Sequence, residues 1–103
     1  MAFLPLDGPS SQTRVNVTTS TVVRLRVGPS ELAERKVITV QPTTGNIYIY
    51  FGDGTATPNS TTVQNNGFIH YKNAIHSYEA SDRQDVYMLA VSGTVSVTYA
   101  ERA

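Results

Sequence analysis

The sequence has no cysteine, which at once excludes a disulfide framework, a thiolate zinc site and a redox thiol. It has no excess of either charge, because eight Lys and Arg balance eight Asp and Glu. Nucleic-acid binders carry a basic excess or gather basic residues on one element, whereas here they are scattered from Arg14 to Arg102. No nucleic-acid partner is expected. Long hydrophobic runs are missing too, and no stretch approaches the length of a membrane-spanning helix. The opening Met1-Ala2-Phe3-Leu4-Pro5-Leu6 has no basic start and is interrupted by Pro5 and then Asp7, unlike a signal peptide. No membrane partner is expected, and the chain is expected to be made in the cytosol and to stay there or leave inside something larger.

Charge of any kind is scarce, at 16% of the residues against about a quarter in ordinary domains. Thr, Ser and Asn fill the place of the missing charges. A neutral, hydroxyl-rich surface gives a free monomer little colloidal protection and suits a protein that works docked in an assembly. The 103 residues leave room for one domain. A start at Met1 and an end on a finished strand favour a whole chain over a module of a larger one.

What is present is a period of two. Val15 and Val17 alternate with Arg14, Asn16 and Thr18; Val23, Leu25 and Val27 alternate with Arg24 and Arg26. Gly28-Pro29-Ser30 ends that segment, and residues 30–34 can form one helical turn with Ser30 as N-cap. Further strands are expected at 37–41, 46–51, 68–71, 75–79 and 86–91, and a last one whose Val95, Val97 and Tyr99 face inward. Ser92-Gly93 reads as a tight hairpin turn, and residues 55–67, rich in Thr, Ser and Asn, as the longest loop. The Lys72-Asn73-Ala74 turn lacks a glycine. The expected fold is all-β: a single small β-sandwich or jelly-roll-like domain at 13–103, preceded by an extended arm at 1–12. Pro5 and Pro9 bar helix in the arm, while Phe3, Leu4 and Leu6 are too apolar for a solvated tail and are candidate interface residues.

Catalytic chemistry finds little to work with. His70 and His76 are the only imidazole bases, and on neighbouring strands they can approach each other with Glu79, Asp82 or Asp85 nearby. Their spacing matches no zinc pattern, and a polar strand face accounts for two histidines without a metal. Gly52-Asp53-Gly54 lacks the Lys and following helix of a phosphate-binding loop, so Asp53 reads as a turn residue. No catalytic residue, metal or cofactor is expected. Six tyrosines without a tryptophan supply amphipathic contact area of the kind interfaces favour. Tyr48 and Tyr50 share the strand face opposite Ile47, Ile49 and Phe51, and are the second pair of candidate interface residues.

Two resemblances follow from these segments. Phe51-Gly52-Asp53-Gly54-Thr55, with His76-Ser77-Tyr78 and Val86-Tyr87-Met88-Leu89 after it, is similar to the PKD-type sandwich of surface proteins, which would imply a protein- or glycan-binding module. Over a longer span, from Val15 to the C-terminus, the chain resembles small structural proteins of tailed-phage virions. The resemblance lies in the Pro-containing arm, the strand Lys36-Val37-Ile38-Thr39-Val40-Gln41, the Ile-Tyr-Ile-Tyr-Phe-Gly strand, Gly67-Phe68-Ile69, Ser77-Tyr78-Glu79 and the segment from Val86 to Val97. It implies a non-enzymatic virion role: a capsid decoration (cement) protein, or a head-fibre or tail adaptor. The implied partners are the major capsid protein or other virion proteins and further copies of the chain, a trimer being favoured.

Overall fold

The computed structural model describes residues 8–54 and 56–103. Along the chain it places β1 (Ser10–Val17), β2 (Val23–Arg24), β3 (Val37–Pro42), β4 (Ile47–Phe51), α1 (Ser60–Asn66), β5 (Phe68–His70), β6 (His76–Glu79), β7 (Val86–Ala90) and β8 (Val95–Arg102). β1 pairs with β8, β2 with β7, β3 with β6 and β4 with β5, always antiparallel. The chain is thus one long hairpin with β4 and β5 at its tip. Rolling that hairpin up adds the pairs β3–β8 and β4–β7 and yields two four-stranded sheets, β1-β8-β3-β6 and β2-β7-β4-β5. This is jelly-roll connectivity, and the protein is an all-β sandwich.

Strand alternation fills the space between the sheets. Val17, Ile38, Val40, Val95 and Val97 come from one sheet, and Ile47, Ile49, Val86, Met88 and Ala90 from the other, with Leu25 between them. β7 is buried throughout, so its other face must also be covered. The cover is α1, which packs on β4 and β7 with Val63 wholly buried above the equally buried Tyr87 and Leu89. Gly67 lets the helix end this close to the sheet: a Cβ there would lie 2.6 Å from the Val63 carbonyl oxygen and 3.1 Å from that of Ile49.

The helix corrects the reading of 55–67 as pure loop. Its cap is local, the Asn59 side chain accepting from the Thr62 N–H at 2.8 Å. Apart from Val63 its residues are polar, so no apolar period announces it. Residues 30–34 form no helical turn; a reverse turn closes instead, with the Arg35 N–H donating to the Leu32 carbonyl at 3.1 Å. Glu34 sits in left-handed backbone (φ 59°), and its N–H donates to the Asp82 carboxylate at 3.0 Å. Ser92-Gly93 does not make a hairpin, because β7 and β8 lie in different sheets and find their partners far away in sequence. Gly93 at φ 62° turns the chain from one sheet to the other. The turn at 72–74 needs no glycine: Asn73, tolerant of left-handed backbone, takes φ 67° there.

The sandwich begins earlier than residue 13. Ser10, Ser11 and Gln12 already pair with Arg102, Glu101 and Ala100, and the ladder continues to Gly8 and Pro9, which bond Ala103. These residues are polar or exposed and carry no alternation of apolar groups, which is why the arm reading absorbed them.

Candidate functional site

Rolling up a sandwich leaves two open sides, and on one of them β5 and β6 are the outermost strands of their sheets. Register places Phe68 and His70 opposite the core residues Ile49 and Ile47, and His76 and Tyr78 opposite Val40 and Ile38. These four rings therefore point toward the gap between the sheets and close it. His70 is 2% exposed, its ring 4.7 Å from that of His76 and 5.4 Å from that of Tyr78. Phe51 adds edge contacts to Tyr78 and Phe68. The Tyr78 hydroxyl is hydrogen-bonded to His70 Nε2 from one sheet to the other, while Nδ1 is buried without a well-aligned partner.

Electrostatics favour the neutral forms of His70 and Tyr78. Burial, then the neighbouring His76, lowers the His70 pKa from its ordinary 6.5, against a smaller upward pull from the Phe68 carbonyl. Burial raises the Tyr78 pKa. Both shifts oppose proton transfer from tyrosine to imidazole, so the pair is a clasp between sheets rather than an activated nucleophile and base. The two imidazoles do come together as the sequence suggested, but the acids do not join them. Asp85 is held by Arg24 at 2.6 Å and Asp82 by the Glu34 N–H. Among the described residues no group of three or more His, Asp or Glu gathers in metal-binding range.

Around the clasp the surface turns apolar. Phe68 is 66% exposed, Ile69 47%, Tyr71 65% and Ile75 65%. Of the large exposed hydrophobic residues among those described, only Val91 lies elsewhere, on the segment joining β7 and β8. Beside Ile75 the outer face of the first sheet has a shallow hollow of about 170 Å³ lined by Gln12, Thr39, Gln41 and Thr98, smaller than the roughly 300–1,000 Å³ of small-molecule sites.

The candidate interface residues fare differently. Tyr48 and Tyr50 do lie opposite the core, as their register against Leu89 and Tyr87 requires, but both are half-buried on the face that α1 covers. Phe3, Leu4 and Leu6 lie outside the described residues.

Sequence reasoning missed a buried ion pair. Arg35 and Glu101 are 2% and 1% exposed and meet at 3.0 Å. All five guanidinium donors are used: on Glu101 and on the carbonyls of Leu25, Ala80, Ser81 and Gln84. The carboxylate also accepts from the N–H groups of Val27 and Leu32. These bonds explain why β2 stops at Arg24 although its alternation runs on to Val27. Side chains of β3's approach and of β8 take the backbone groups a ladder would use, with the Tyr99 hydroxyl on the Arg26 carbonyl. The inward period of Val95, Val97 and Tyr99 extends to Glu101, and that signal was available in the sequence.

No protein-family model matches the sequence, and no curated protein does either.

Proposed function

We propose that the chain is a non-enzymatic structural protein of a tailed-phage virion, a capsid decoration protein that stabilises contacts between major capsid subunits and acts as a homo-oligomer, a trimer being favoured. The carrying observation is the gathering of Phe68, Ile69, Tyr71 and Ile75 on one side of the sandwich. Large exposed apolar groups gathered along one open side of a sandwich mark a surface that another protein covers. The balanced charge and hydroxyl-rich exterior support the same reading, as does a jelly-roll scaffold of the kind viral capsid domains use. A head fibre or tail adaptor would draw on the same surface and differs only in its place on the particle.

The test is to purify particles from cells producing them with this gene, and to count copies of the chain by quantitative mass spectrometry. A fixed ratio to the major capsid protein is expected. Particles that lack the chain, with all of it in the free fraction, overturn the reading.

A further inference from the structure

The apolar side raises the question of what covers it. Four observations bear on the answer. The first is size. Phe68, Ile69, Tyr71 and Ile75 together present on the order of 450 Å² of surface, against about 800 Å² per partner in a stable contact between folded domains. The footprint is that of a short segment carrying a few large apolar side chains.

The second is the backbone. β5 and β6 are both outermost strands, so each offers an unpaired edge, and an extended segment can dock by adding to such an edge. The third is the sequence preceding the first described residue. Phe3, Leu4 and Leu6 provide apolar area of the same order, and Pro5 limits the conformational entropy lost on docking.

The fourth observation decides between a chain's own surface and its neighbour's. The described chain begins at Gly8, bonded to Ala103 at the β1 edge of the first sheet. The apolar side lies beyond β6, three strand spacings away, or about 14 Å. Register adds a displacement along the strands. Ser10 is level with Glu79 of β6 through Arg102 and Val37; Gly8 lies two residues beyond that level and Ile75 four residues before Glu79, which adds about 20 Å along the strands. Taken at right angles, the two displacements separate Gly8 from Ile75 by about 24 Å in a straight line. Leu6, two residues from Gly8, reaches about 7 Å, and Phe3 about 18 Å when fully extended. The backbone of the segment therefore falls short of Tyr71 and Ile75 on its own copy, and a second copy's segment is what can cover them.

We infer that residues 3–6 of one copy dock on the β5–β6 side of a second copy, covering Phe68, Ile69, Tyr71 and Ile75. The inference rests on the proposed structural role and names the partner of its apolar side: a second copy of this chain. The contact is head-to-tail, so it closes into a ring when the rotation between copies permits.

The experiment uses the full chain in three forms: wild type, the arm variant Leu4→Asp with Leu6→Asp, and the face variant Tyr71→Ser with Ile75→Ser. The face residues are about two-thirds exposed, so their replacement leaves the core untouched. Light scattering after size-exclusion chromatography should show wild type self-associating with rising concentration. Each variant should associate about 30-fold or more weakly, as for loss of central interface anchors, with an unchanged melting curve. Mixing the two variants should then restore a pair, because one retains an intact face and the other an intact arm. Monomeric wild type, or variants that remain monomeric when mixed, overturns the inference. A lower melting temperature of the arm variant, with association intact, overturns it by placing the segment on its own copy. None of these readings depends on particles, so the docking inference can fail while the virion reading stands, and the reverse.

Discussion

Replacing Arg35 and Glu101 together should separate the value of an ion pair from the value of the backbone it holds. Removing one partner of a buried pair leaves an uncompensated charge and costs about 3–5 kcal/mol, so Arg35→Ala and Glu101→Leu should each lose that much. Replacing both partners with apolar side chains of similar volume is often neutral elsewhere, because the desolvation cost vanishes with the charges. Here it should not be. Only one of the seven hydrogen bonds in this knot joins the two side chains; the others run to four backbone carbonyls and two backbone N–H groups. With Arg35→Met and Glu101→Leu those six groups lose their partners. Each buried group left unsatisfied costs about 1–3 kcal/mol, and those that regain water cost less, so the double variant should still lose about 4–6 kcal/mol. A domain of this size has about 5–15 kcal/mol in total, so the variant is marginal at best. Urea unfolding followed by far-ultraviolet circular dichroism measures the difference. A double variant within about 1 kcal/mol of wild type would refute the reasoning, since the pair would then be replaceable like any other.

Three further outcomes follow from other parts of the fold. The unfolded chain takes up a proton at His70 near pH 6.5 while the folded chain resists it, so stability should be level above that value and fall as the pH drops below it; His70→Phe should flatten the melting-temperature profile from neutral pH to about pH 5. Gly67→Ala drives a Cβ against the Val63 carbonyl and should cost about 1–3 kcal/mol in chemical unfolding, whereas Gly28→Ala, with nothing within 4 Å, should cost nothing measurable. Tyr48→Ala with Tyr50→Ala should lower the unfolding free energy by about 2 kcal/mol, because α1 half-covers the rings; full stability in the same measurement would return both to the interface role.

Much of the fold was legible because the strands obey a period of two over a buried face. Val23 and Leu25, Ile47 and Ile49, and Val95 to Tyr99 point where their alternation says. What alternation does not encode is which strand pairs with which. Ser92-Gly93 looks like a hairpin turn from its composition, yet it joins strands of different sheets, since pairing was decided by the rolling of the whole chain. α1 escaped because a helix needing only one apolar residue, Val63, leaves no 3.6-residue pattern. At the candidate site, the approach of His70 to His76 was readable from two short neighbouring strands. The exposure of Phe68, Tyr71 and Ile75 was not, because apolar residues on a strand or its flank read as core until topology shows that the strand is outermost.

The two open sides of the sandwich explain why function should be sought at one and not the other. Every open sheet has edges, and natural proteins guard them with charge, short strands or cover. The β1–β2 side is guarded. Along β1 the exposed residues are Ser10, Gln12, Arg14 and Asn16, with Asn16 and Arg14 hydrogen-bonded to Ser96 and Thr98 of β8. At β2, Arg24 is fixed between Glu31 and Asp85. The β5–β6 side departs from this pattern. β5 is short, as a guarded edge should be, yet Phe68 and Ile69 on it and Tyr71 and Ile75 beside it are exposed, and the charged groups recede to Lys72 and Glu79. An edge left apolar in a chain that charges or caps its other edges is where the proposed partner would dock. Between the sheets behind it, the His70–Tyr78 bond holds the two edge strands in one relative position, so whatever docks there meets a preformed surface rather than one it must first order.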